Sequence, residues 1–61
     1  MTRRDAERYA GLLWRNHFLN VQIVENYPTR ECFLRCETRA GVARSYLTAQ
    51  EVIDDMKFWG S

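Results

Sequence analysis

Few side chains in this chain could do chemistry, and their spacing limits what they can do. Cys32 and Cys36 are the only cysteines, and His17 is the only histidine. Both thiols lie in Glu31-Cys32-Phe33-Leu34-Arg35-Cys36-Glu37-Thr38-Arg39, which alternates without a break. Small apolar residues alternating with larger or charged ones mark a strand with one buried face. Four residues along a strand separate the thiols by about 13 Å. Bridged cysteines need Cα atoms within about 7 Å, so the strand and a disulfide exclude each other. Zinc knuckles come from turns, and one histidine completes no ligand set. Both cysteines therefore read as core thiols.

His17 has no nucleophile and orienting group beside it in sequence, and falls at the end of a helical segment where a cation suits the dipole. Asp54 and Asp55 are neighbours on a helix and do not converge on one locus, so they read as a solvated helix face. The chain has no Gly-rich phosphate loop, nucleophile elbow or metal motif. The expectation is a non-enzymatic protein with no catalytic residue, metal or cofactor.

The elements that position these residues can be read in turn. A helix is expected from about Arg3 to His17, with Thr2 as N-cap and Asp5 three residues on. Ala6, Tyr9, Ala10, Leu13, Trp14 and His17 form its apolar stripe. A second helix begins at the capping box Thr48-Ala49-Gln50-Glu51, with Leu47 and Val52 as hydrophobic staple. Its buried stripe is Ala49, Val52, Ile53, Met56 and Trp59, and Gly60 is the expected stop. Between the helices lie strands at about 19–25, 30–39 and 42–47.

A two-residue Ala40-Gly41 loop would set Leu34 opposite Leu47 and Glu37 opposite Arg44. A four-residue loop, Asn26 to Thr29, would set Ile23 opposite Cys32 and Glu25 opposite Arg30. Both hairpins then keep the same faces inside, although Ala-Gly is not the preferred hairpin pair and a longer loop would shift the register. The predicted fold class is α+β: a two-layer α-β-β-β-α sandwich over residues 1–61, one domain. Its three-stranded antiparallel sheet has order 1-2-3, with both helices on one face. The inner face would carry Leu19, Val21, Ile23, Cys32, Leu34, Cys36, Ala43 and Leu47. The outer face would carry Gln22, Val24, Phe33, Arg35, Glu37, Arg39, Val42, Arg44 and Tyr46.

Composition narrows the partner. Sixty-one residues with 46% apolar content suit one small globular domain. No apolar run is long enough to span a bilayer, and Met1-Thr2-Arg3-Arg4-Asp5 lacks a signal-peptide core, so a cytoplasmic protein is expected. The net charge of +1 gives no whole-molecule pull on polyanions. Eight of the nine basic residues are arginine, which favours planar and stacked contacts, although a high genomic GC content would produce the same bias. Aromatic anchors ringed by arginine are the composition of protein-binding hot spots. The expected partner-binding set is Val24, Phe33, Arg35, Arg39, Arg44 and Tyr46, on the outer face of the sheet. A free edge strand is the other docking surface, and self-association into a homo-oligomer is an accompanying expectation. Arg3, Arg4 and Arg8 form a secondary basic cluster.

The α-β-β-β-α order, across nearly the whole chain, resembles the double-stranded-RNA-binding domain, which implies RNA or DNA binding as the alternative function. That family places a Lys-rich cluster at the start of its second helix. Here the matching segment is Thr48-Ala49-Gln50-Glu51-Val52, without a basic residue. In size and lack of motifs the chain also resembles phage-encoded inhibitors of host machinery, and the adaptor or inhibitor reading takes that form.

Overall fold

The computed structural model of the protein describes residues 1–59. Helix α1 is Arg3–Arg15, strands β1 to β3 are Leu19–Glu25, Cys32–Glu37 and Ala43–Tyr46, and helix α2 is Ala49–Trp59. The sheet is antiparallel in order β1-β2-β3, and the helices pack against it and against each other. The predicted α+β order is therefore the observed one. The expected Gly60 stop lies outside the described residues.

Both helix starts follow the sequence. Asp5 N–H donates to Thr2 Oγ1 at 3.2 Å. In the capping box, Glu51 N–H donates to Thr48 Oγ1 at 3.3 Å and the hydroxyl reaches Glu51 Oε1 at 3.2 Å. Leu47, expected as the staple on buried Val52, is instead exposed. The backbone of Met1 pairs with that of Cys32 in both directions, at 2.9 and 3.0 Å, and Met1 N also lies 3.4 Å from Leu47 O. At the other end Asn16 Nδ2 meets Met56 Sδ at 3.4 Å. The helices thus start together and end together.

Helix α1 ends two residues before His17, in a Schellman motif. Phe18 N–H donates to Leu13 O and His17 N–H to Trp14 O, at 3.0 and 3.1 Å. Apolar Phe18, 2% exposed, then packs in the same core cluster as Leu13, as such a motif favours. His17 itself is exposed and holds φ +65°, not the place in the apolar stripe expected of it. A left-handed backbone is unfavourable for a side chain with a Cβ, and glycine relieves it. His17→Gly is expected to raise stability by about 1 kcal/mol, read as a higher midpoint in urea; a lower midpoint would give the imidazole a structural role. Trp14, also expected in the stripe, is half exposed, and Trp59 is 36% exposed.

The core between helices and sheet is Ala6, Leu13, Phe18, Cys32, Leu34, Cys36, Tyr46 and Val52. Both cysteines are free and buried, as their strand phase required. The two hairpins depart from the expected registers in different ways. In the first, the loop is Tyr27 to Arg30, because Asn26 pairs with Glu31 and Arg30 N–H closes on Asn26 O. Ile23 then faces Leu34, and Glu25 faces Cys32 in place of Arg30. This is a slip of two residues, and it leaves the faces unchanged. A bulge between Leu19 and Gln22, with Asn20 at φ +52°, then turns Leu19 outward to face Glu37. Leu19 is therefore 46% exposed and not in the inner layer.

In the second hairpin, Thr38 N–H donates to Val42 O, Gly41 N–H to Thr38 O and Val42 N–H to Thr38 Oγ1. The loop is Arg39-Ala40-Gly41, three residues, with Gly41 at φ +83°. Such loops put glycine in the left-handed position. Relative to the two-residue expectation the register slips by one, which inverts β3. Tyr46 comes inside opposite Leu34, Arg44 moves to the helix side opposite Cys36, and Ala43 turns outward opposite Glu37. Leu47, expected inside, is exposed.

Candidate functional site

The outer sheet face is ordered in rows. Val24 opposes Phe33 directly, Gln22 opposes Arg35, and Arg35 opposes Ser45. Leu19 opposes Glu37, which in turn opposes Ala43. One residue past β3, the same register brings Leu47, 63% exposed, alongside Phe33. One end of the face is thus an apolar strip, and the middle is polar. The polar rows line an open depression of about 330 Å³ bordered by Asn20, Gln22, Arg35, Glu37 and Ser45, with Cys36, Ala43 and Arg44 completing its lining. Asn20 Nδ2 donates to Glu37 Oε2 at 3.0 Å, so the bulge also fixes one wall of the depression. Arg35 has no carboxylate within salt-bridge distance among the described residues.

Of the six residues expected to bind a partner, three share this face: Val24, Phe33 and Arg35. Arg39 is exposed in the β2–β3 loop, beyond the end of its strand. The one-residue slip carried Arg44 and Tyr46 to the helix side, although Arg44 still borders the depression. The expected Glu37–Arg44 pair is lost with that slip. Gln22 was expected on this face, whereas sequence reasoning passed over Ser45 and exposed Leu47 as parts of it. The signal that could have found them is the register that a three-residue loop ending in Gly41 imposes.

The displaced residues build something else. Arg44 grips Asp55 of α2 with two nitrogens, Nε to Oδ2 at 2.7 Å and Nη2 to Oδ1 at 3.0 Å. Tyr46 Oη donates to Asp55 Oδ2 at 2.5 Å, and Cys36 Sγ lies 3.8 Å from the same phenol. Asp55 is therefore the fastening of α2 onto β3, not part of a solvated helix face. Burial alone would push its carboxyl up, but the hydrogen bonds from Arg44 and Tyr46 outweigh it and hold the group below the ordinary range. Burial and the Asp55 carboxylate push the Tyr46 phenol far above its usual value. Burial likewise raises the Cys36 thiol, which suits a core thiol and not a nucleophile. Among the described residues no group of three or more His, Cys, Asp or Glu side chains could hold a metal ion.

The secondary basic cluster divides. Arg3 Nε pairs with Glu7 Oε1 at 3.4 Å, whereas Arg4 and Arg8 have no carboxylate partner among the described residues. No described helix is long and apolar enough to cross a membrane. No protein-family model, curated protein or solved structure matches the chain.

Proposed function

We propose that this protein is a non-enzymatic binding module, an adaptor or inhibitor, that docks another protein on the outer face of its sheet. The observation that supports the reading is the contrast within that face. An apolar strip of Val24, Phe33 and Leu47 adjoins a polar depression whose arginine has no carboxylate partner among the described residues. Interfaces use this pairing: an aromatic anchor excludes water, and an arginine beside it takes a planar carboxylate or carbonyl from the partner.

The test is affinity capture from the native host with wild type and Phe33→Ala/Arg35→Ala side by side. The double variant should keep its circular dichroism spectrum and cooperative melt, because neither side chain belongs to the buried core. Removing a central aromatic and its arginine should weaken capture by at least about tenfold. Loss of the cooperative melt would make Phe33 a core residue, and undiminished capture would move the interface off this face.

A further inference from the structure

Helix α1 carries a second surface that the outer-face reading does not use. Arg4, Arg8, Gly11 and Arg15 follow one another at intervals of four, three and four residues. On a helix that spacing is a straight row, with about 16 Å between its ends. All four residues are exposed. None of the three arginines has a carboxylate partner among the described residues; Arg8 only lies 5.9 Å over the Tyr9 ring. Of the two acidic residues of the helix, Asp5 falls away from the row, while Glu7, four residues before Gly11, borders it on the Trp14 side and is paired with Arg3.

Gly11 is the informative member. Glycine in the middle of a helix is destabilising relative to alanine, because it loses more backbone freedom on folding. Inside a protein the usual compensation is a neighbour that a Cβ would strike. Here a Cβ at Gly11 would meet nothing within 4 Å. The fold gives no reason for the residue, and its place between Arg8 and Arg15 suggests one outside the fold. A bare stretch of backbone lets a partner come close to the helix while the flanking guanidiniums close on it. Trp14, three residues on from Gly11, is 53% exposed beside the row.

We propose that this face of α1 docks the sugar-phosphate backbone of a single-stranded nucleic acid, with Arg4, Arg8 and Arg15 on phosphates, Gly11 under the strand and Trp14 stacked on a base. The partner is named by charge and shape. Three cations in line, without carboxylate partners among the described residues, match a linear polyanion, and a track of cations beside an exposed aromatic is how single strands are held without sequence preference. A duplex has no unstacked base to offer Trp14.

The test titrates labelled oligouridine, oligothymidine, a DNA duplex and polyglutamate in turn, by anisotropy across a range of salt. Binding of either or both single strands is expected, and the pair tells RNA from DNA as the source. The log–log salt slope should be near −2, at about 0.7 per phosphate contact for three contacts. The variant R4A/R8A/R15A should lose at least about tenfold in affinity at low salt, with a slope near zero. Gly11→Gln separates docking from folding: it should raise the melting temperature, by helix propensity, and still weaken binding by several-fold. In a Trp59→Phe background, Trp14 fluorescence should be quenched on binding. Tighter binding of duplex or polyglutamate, or unchanged affinity in Gly11→Gln or in the triple arginine variant, would overturn the proposal. None of these substitutions touches the outer sheet face, so failure here leaves protein capture by Phe33 and Arg35 intact.

Discussion

Replacing Tyr46 with alanine is expected to unfold the protein at room temperature. Tyr46 is 1% exposed, among the largest fully buried side chains. Truncating a buried aromatic costs about 3 to 5 kcal/mol. A single core in a chain this short rarely supplies more than about that in total. Circular dichroism and the dispersion of the proton–nitrogen NMR spectrum should both collapse. Tyr46→Phe keeps the ring and removes only the hydroxyl that donates to Asp55. It should cost about 1 to 2 kcal/mol, with the fold intact. The comparison tests the register of β3. Had β3 kept the phase of a two-residue loop, Tyr46 would stand on the outer face and its truncation would be mild. A folded Tyr46→Ala with a near-normal melt would therefore reject the observed register.

The second large effect is at Asp55. Asp55→Ala leaves Arg44 without its carboxylate and the Tyr46 phenol without its acceptor. Loss of hydrogen bonds to a charged group is expected to cost about 2 kcal/mol. Most of that should come through the phenol, because the Arg44 side chain is 41% exposed and solvent screens its share. The same site gives an acid response. A carboxyl held below its ordinary value in the folded state stabilises the fold at pH above the unfolded value. That contribution fades as pH drops through the folded value. Urea midpoints should therefore fall between neutral pH and about pH 3, on the acid side of the ordinary aspartate value. Asp55→Asn keeps an acceptor but cannot titrate, so its midpoint should fall less. Equal losses in the two proteins would show that Asp55 carries none of the acid sensitivity.

The places where sequence and structure agree share a physical basis. Helix starts are local: Thr2, and Thr48 with Glu51, satisfy orphan N–H groups within three residues, and their patterns are visible in the chain. The middle strand was equally legible, because unbroken alternation leaves one way to bury Cys32, Leu34 and Cys36. Register depended on loop chemistry. The first hairpin tolerated an error of two, since side chains repeat every two residues. The second did not tolerate an error of one, and it moved Arg44 and Tyr46 from a proposed contact face to a structural fastening. The three-residue loop suits this register: Gly41 takes its left-handed position and Thr38 receives Val42 N–H on its hydroxyl. The Asp55 fastening was not readable for a related reason. Its partners are nine and eleven residues away on another element, and they come together only once β3 has its true phase.

The bulge at Asn20 has a bearing on solubility. β1 is an outermost strand, so a row of its main-chain groups faces away from the sheet, a template on which another copy's strand could polymerise. A flat, regular strand would be the most dangerous version. Here the left-handed residue at Asn20 bends the strand and breaks the regular ladder, so an incoming strand cannot stay in step along its length. The opposite border, β3, is only four residues long. The two margins of the sheet are therefore guarded by shape: one kinked, the other short.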